Sequence, residues 1–268
     1  MVTELLRREN SYRQAFLELQ QRREGEGVGW LERLRAGAME RFEESGFPSV
    51  KDEEWKYTNV AAIAAVDFQA ASSQTSLAGE VDVQGLALFR HLETQNSQLV
   101  FINGVLRTDL SGLTAIPEGV IALDLATAIA DERYREIVWK HLGQQADYVV
   151  NGFTALNTAL ISHGAFVYIP KDAILSVPLN LLFISDGADT ASFPRVLVVA
   201  EDNSKATLIE SYASTKDSRY FTNAVVEIVL KDGARLEHYK LQRESAKAFT
   251  LLPRRLTSAG IRVTMRPR

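Results

Sequence analysis

Apolar residues recur at helical spacing through the first part of the chain. Leu5, Tyr12, Phe16 and Leu19 share one face among Arg, Glu and Gln, which predicts an amphipathic helix. A glycine-rich break, Gly25-Glu26-Gly27-Val28-Gly29, separates it from a second helix carrying Leu31, Leu34, Ala38 and Phe42 on one side. Ser45-Gly46-Phe47-Pro48 supplies a glycine stop followed by proline. Residues 69–80 are small and polar and read as a linker. A short strand is expected at residues 99–102, turned by Asn103-Gly104. Helices resume after Asp124, a suitable N-cap, with Tyr134, Val138 and Leu142 on one face. Another carries Val149, Phe153, Leu156 and Leu160 and ends near His163-Gly164.

From Gly164 the periodicity changes. GAFVYIP, LNLLFIS, PRVLVVAE, KATLIESYAS, FTNAVVEIVL and ARLEHYKLQ follow one another with short Pro, Gly, Asp and Asn breaks and no helix-length segment between them. Regular short strands of this kind predict an all-β body: sandwich, barrel or solenoid. No exact internal repeat decides among the three. The pattern divides the chain into a helical region at 1–68, a linker with a short β element and helices at 69–163, a β core at 164–249 and an Arg-rich tail at 250–268.

Composition narrows the chemistry. The 268 residues are 46% hydrophobic and 24% charged, with a net charge of −4, so bulk electrostatics favour neither nucleic acid nor an anionic membrane. The N-terminal run Met1-Val2-Thr3-Glu4-Leu5-Leu6-Arg7-Arg8-Glu9 has no apolar signal core, and no apolar stretch is long enough to span a bilayer. A cytoplasmic location is expected, or a plastid stroma if a transit peptide has been removed. There is no cysteine, which excludes disulfides, thiolate nucleophiles and cysteine-ligated clusters within this chain.

Enzyme signatures are sparse. No GxxxxGK[ST] occurs, and the glycines at 25, 27 and 29 follow a charged helix at the wrong spacing for GxGxxG, so they read as a linker. His91, His141, His163 and His238 are scattered, with none at metal-ligand spacing, and His238 reads as an outward or edge histidine. Glu210, Glu227 and Glu237 lie in or beside strands. Paired strand carboxylates could serve a β-helical carbohydrate-active enzyme, but solvated strand faces explain them more simply.

The segment Phe47-Pro48-Ser49-Val50-Lys51-Asp52-Glu53-Glu54-Trp55-Lys56-Tyr57-Thr58-Asn59 stands apart, because its acids, aromatics and cations do not form a helix face. It reads as a junction in which Trp55 and Tyr57 supply rigid apolar area and Lys56 reaches a carboxylate. Pro48, then Glu54-Trp55-Lys56-Tyr57-Thr58, resembles a signature of the SufD family of iron–sulfur cluster assembly scaffolds. Three later stretches are similar to the same family in order: residues 153–157 leading to 164–171, residues 194–212 and residues 234–245. The resemblance implies an α+β chain, with an N-terminal helical region followed by a right-handed parallel β-helix. It also implies a non-catalytic scaffold role beside a SufB-like paralogue and a SufC-like ATPase. Any cluster would be handled by the complete complex, with no cofactor bound by this chain alone. It supplies no catalytic, cofactor or metal residue here; Pro48, Glu54, Trp55, Lys56, Tyr57 and Thr58 are carried over as structural or interface positions.

After Phe249 the sequence carries Arg254, Arg255, Arg262, Arg266 and Arg268 without one acid. The family is expected to continue with His-Ile-Ala. Deleting one base from codons for Phe-His-Ile-Ala-Ala-Ala-Gln yields Phe-Thr-Leu-Leu-Pro-Arg-Arg, the residues found. The expectation is therefore an incomplete β-helix ending in an out-of-frame, ill-packed tail, with weakened binding to SufB and SufC.

Overall fold

A computed structural model describes residues 2–21, 29–71, 83–258 and 263–265. The glycine break at 25–28, most of the 69–80 linker and Arg262, Arg266 and Arg268 of the tail lie outside the described residues. Side chains before Ser11, Leu5 among them, are likewise not described.

The β body is a parallel solenoid of about three turns. Gly164 pairs in parallel with Arg195, and Arg195 with Val225, so one turn takes about 30 residues. Three sheets form the walls. The first holds β1 (Gln69–Ala70), β7 (Thr190–Ser192), β10 (Tyr220–Asn223) and β13 (Phe249–Leu251). The second holds β4 (Ile121–Asp124), β5 (Gly164–Ile169), β8 (Arg195–Ala200), β11 (Val225–Leu230) and β14 (Arg254–Ser258). The third holds β2 (Gln98–Ile102), β3 (Val105–Leu106), β6 (Leu179–Ile184), β9 (Lys205–Ala213), β12 (Arg235–Arg243) and β15 (Val263–Met265).

Alternate residues of each strand face the lumen or the outside. Leu99, Phe101, Leu181, Phe183, Val196, Val198, Val226 and Ile228 fill the lumen. Phe101, Phe183 and Tyr212 stack along it, with centroids 4.8 and 5.2 Å apart. Outward residues of the first two sheets are covered by helices; the chain also holds two short helices, α3 (Ala61–Ala64) and α4 (Val83–Ala87). Phe166, Leu197, Val199 and Val229 meet Leu31 of α2 (Gly29–Ser45), Leu125 of α5 (Leu125–Ala130) and Val138 of α6 (Glu132–His141). Ala191 and Phe221 meet Tyr12 and Phe16 of α1 (Val2–Gln21), Phe42 of α2 and Phe153 of α7 (Gly152–Ala159).

The helix signals act as expected at several points. Gly46, at φ 60°, ends α2 with its N–H on Phe42 O, and Asp124 caps α5 by accepting from Ala126 N. Asn103 and Gly104, both at positive φ, turn β2 into β3. Two boundaries differ. Asp131 caps α6 and splits the helical stretch after Asp124 in two. Asn151 starts the last helix by accepting from Thr154 N, which leaves Val149 outside it and exposed.

The solenoid also starts before Gly164 and runs past Phe249. The 98–102 strand pairs in parallel with β6, because Leu99 and Phe101 supply lumen residues for the first turn. β4 adds antiparallel to β5. Residues 254–258 pair in parallel with Val226–Leu230 of β11, so the backbone of this part of the tail lies in a strand, while Leu256 is exposed. The corner after the second sheet repeats a left-handed residue: Asp172 at φ 61°, Asn203 at 58° and Gly233 at 71°. Asp172 N–H donates to Asp202 O and Asn203 N–H to Asp232 O, tying the corners together. This repeat is in backbone geometry rather than residue identity, which is why no exact sequence repeat announces it.

Where α2 ends, α7 begins. A Cβ on Gly152 would lie 1.8 Å from Gly46 O, so the two chain segments meet backbone to backbone. Gly152→Ala is expected to lower stability by about 1–3 kcal/mol through this overlap, read from urea unfolding midpoints. A Gly46–Gly152 contact that tolerates Ala without loss would count against the packing described.

Candidate functional site

Glu210, Glu227 and His238 separate into two buried clusters on opposite faces of the solenoid wall. The first lies outside the lumen, beneath the helices. Arg195 of β8 and Glu227 of β11 are fully buried and joined by Nη2–Oε1 at 2.6 Å and Nε–Oε1 at 3.0 Å. Arg195 Nη1 also donates to Asn157 Oδ1 at 2.9 Å and Thr158 Oγ1 at 3.2 Å on α7. Glu227 accepts the backbone N–H groups of Gly143, Gln145 and Ala146, each within 3.0 Å. Asn157 donates onward to Pro194 O and Asn223 O, and Asn223 to Phe153 O. Burial pushes the Glu227 carboxyl up, but Arg195 and the three backbone donors outweigh it and hold the pKa below the ordinary value. This network fastens the helical layer to two turns of the solenoid, and every partner in it is a side chain or backbone group of the chain itself.

The second cluster faces the lumen. On β9, Ala206, Leu208, Glu210 and Tyr212 point inward in alternation, and Glu210 replaces the apolar side chain that Leu181 provides one turn earlier. On β12, His238 sits above Leu208 and Lys240 above Glu210. Arg254 of β14 occupies the lumen column filled by Ala165, Val196 and Val226 on earlier turns. Tyr212 OH donates to Glu210 Oε2 at 2.7 Å, and His238 Nε2 meets Glu210 Oε1. Lys240 Nζ lies 3.7 Å from Glu210 Oε2. Arg254 Nη1 is 3.0 Å from His238 Nδ1. A guanidinium nitrogen can only donate, which assigns the lone pair to Nδ1 and the hydrogen to Nε2, facing Glu210. Burial raises the Glu210 pKa, but His238, Lys240 and Tyr212 together hold it below its ordinary value. Burial, then the neighbouring Glu210 charge, push the Tyr212 hydroxyl well above its own.

His238, Glu210 and Glu227 are thus corrected from surface groups to buried ones. The misreading has a physical cause: Glu210 and His238 face the lumen and Glu227 the helical layer, so each needs internal partners rather than water. Glu237 alone of the three glutamates is exposed. Glu210 faces the lumen and Glu227 the helical layer, so they do not converge on one substrate. Of the other histidines, His163 Nδ1 lies 3.4 Å from Asp124 Oδ2, while burial lowers His141. No group of three or more His, Cys, Asp or Glu side chains converges as a metal site among the described residues.

The EEWKYT segment is divided in use. Pro48 is half-buried and precedes a turn in which Asp52 Oδ2 accepts Ser49 N–H at 2.7 Å. Trp55 packs on Phe153, centroid to centroid 5.2 Å, closing a short 3₁₀ turn over Glu53–Trp55. Glu54, Lys56, Tyr57 and Thr58 face solvent; Lys56 Nζ lies 5.8 Å from the Tyr57 ring centroid and 4.0 Å from Glu53. Tyr57 is 93% exposed. The structure therefore packs the half-buried Trp55 against the core and leaves Glu54, Lys56, Tyr57 and Thr58 on the surface. Arg195, Asn157 and Arg254 carried no sequence signal of a site. Arg195 begins an apolar strand (RVLVVA), where a charge predicts a buried partner only once the strand is known to be covered on both faces.

These features define a parallel β-solenoid buttressed by N-terminal helices, with buried ionic networks on both sides of its wall. Residues 6–181 match the SufBD protein N-terminal region and residues 183–260 match the SufBD core domain of the SUF system for FeS cluster assembly. The chain belongs to the SufBD family. It is 33% identical over 225 residues to an iron–sulfur cluster assembly SufBD family protein of Synechocystis, covering 80% of this chain and 48% of that protein. It is 31% identical over 239 residues to the iron–sulfur cluster assembly protein SufD of Bacillus subtilis, covering 86% and 52% respectively. The chloroplastic protein ABCI7 of Arabidopsis thaliana is 25% identical over 226 residues, with 80% and 45% covered. The chain spans about half the length of these relatives. Among the described residues no helix is long and apolar enough to cross a membrane.

Proposed function

We propose that this chain serves iron–sulfur cluster assembly as a non-catalytic scaffold component, acting beside a SufB-like paralogue and a SufC-like ATPase in the cytoplasm or a plastid stroma. The observation that carries this reading is the match of two consecutive SufBD regions across a helix-buttressed solenoid. The lack of cysteine supports a division of labour in which cluster ligands come from another subunit. The opposed placement of Glu210 and Glu227 supports a scaffold rather than a two-carboxylate glycosidase.

Anaerobic incubation of the isolated chain with iron and sulfide, followed by desalting, tests the first half of this reading. The expected outcome is protein without a cluster absorption band and without ATP hydrolysis. A persistent stoichiometric chromophore on the chain alone would overturn it.

A further inference from the structure

The fold absorbs the EEWKYT segment only in part. Trp55 packs on Phe153 at one end of residues 55–60, and the buried Val60 opens α3 at the other. Between these anchors the backbone N–H of Thr58 donates to Trp55 O at 2.8 Å, closing a four-residue turn with Tyr57 in third place. The Tyr57 ring stands almost wholly in solvent. A phenol carried on a turn that is fixed at both ends meets an incoming protein at little further ordering cost.

Tyr57 differs in this from every other tyrosine of the chain. Tyr12, Tyr212 and Tyr220 are buried, and the remaining four of the eight are half-buried. The hydroxyls of Tyr212 and Tyr220 are further engaged by Glu210 and Glu244. An enzyme that modifies a phenol must take the whole ring into its own cleft, so exposure singles out Tyr57. Charge marks the approach to it. Asp52, Glu53 and Glu54 directly precede Trp55-Lys56-Tyr57 in the chain. Asp52 is engaged by Ser49, while Glu53 keeps 90% of its side chain exposed and Glu54 faces solvent. Lys56 lies 4.0 Å from Glu53, a surface pairing that leaves both groups open to other partners.

We propose that Tyr57 is a phosphorylation site, the acceptor for an ATP-dependent tyrosine kinase whose substrate groove is rich in Lys and Arg. The phenol oxygen attacks the γ-phosphorus of ATP, the bond to the ADP oxygen breaks, and the phenolic proton passes to the kinase's base. The product adds about 1.5–2 negative charges to a stretch where Lys51 and Lys56 stand among Asp52, Glu53 and Glu54. Lys56, with Nζ 5.8 Å from the ring centroid, is near enough to pair with the new phosphate. The turn then becomes strongly anionic while Trp55 keeps its place on Phe153. The site does not depend on the assembly role.

Incubation of the full chain with ATP and a purified tyrosine kinase that prefers acid-flanked substrates tests this, read by mass spectrometry of proteolytic peptides. A single phosphate is expected, on the peptide that carries Tyr57. Tyr57→Phe should abolish labelling. Glu53→Gln combined with Glu54→Gln should slow it by about tenfold, through loss of the charges that steer the kinase. Both glutamates are exposed, and circular dichroism confirms that each variant is folded. Labelling spread over several tyrosines, or retained in Tyr57→Phe, overturns the proposal. So does an unlabelled chain in a reaction that labels an acid-flanked reference peptide. An unchanged rate in the double glutamine variant overturns the recognition by a basic groove.

Discussion

Arg195→Met is expected to destabilise the chain by about 3–5 kcal/mol, because it leaves the Glu227 carboxylate buried with its main partner gone. The loss should appear as a lower urea midpoint without a change in slope. The effect is larger than for a surface pair because both side chains are fully buried, and water cannot replace either partner. The helical layer should loosen together with the solenoid, since Arg195 also holds Asn157 and Thr158 of α7. The exposed Arg219–Asp189 pair provides the contrast: Arg219→Met should change stability by about 1 kcal/mol or less. Replacing Arg195 and Glu227 together by Met and Leu should recover part of the loss, because no unpaired charge remains. Equal, small effects of Arg195→Met and Arg219→Met would show that the buried network does not hold the layers together.

Stability should fall steeply in acid. Glu210 and Glu227 both titrate below the ordinary glutamate value of 4.5 in the folded chain. Their contribution is therefore complete above that value and is lost as pH falls through the lower folded values, where the unfolded chain binds the protons more readily. A flat stability plateau near neutrality, followed by a decline starting below about pH 5, is expected in chemical denaturation. Glu227→Gln should lower the plateau and flatten the acid limb at once. A variant that shifts the whole curve without altering its acid slope would exclude Glu227 as a source of that slope.

The helical and β portions were legible because their periods differ: apolar residues three and four apart before Gly164, short apolar runs after it. Caps at Asp124 and the glycine stop at Gly46 were equally local signals. The choice of solenoid over sandwich or barrel was not legible from the strand pattern, since all three bury similar short strands; it entered through the family resemblance. The first turn was missed because residues 98–102 lie far along the chain from their partner β6, and only the three-dimensional stack reveals that Leu99 lines the lumen. The strand at 254–258 was hidden for a different reason. Its Arg254 and Arg255 break the apolar alternation, yet backbone pairing to β11 does not depend on which side chains the strand carries. His238, Glu210 and Glu227 were placed in water because one strand in isolation cannot say which of its faces the rest of the chain covers. Glu210, between Leu208 and Tyr212, and Arg195, at the head of an apolar strand, become readable as a network only when the turns are stacked about 30 residues apart.

Co-expression of the chain with a SufB-like and a SufC-like subunit, followed by affinity purification and native mass spectrometry, tests the assembly role most directly. The account predicts a complex that contains the chain together with both subunits. The absence of any complex at high protein concentration, together with cleavage of an acidic glycan by the chain alone, would contradict it.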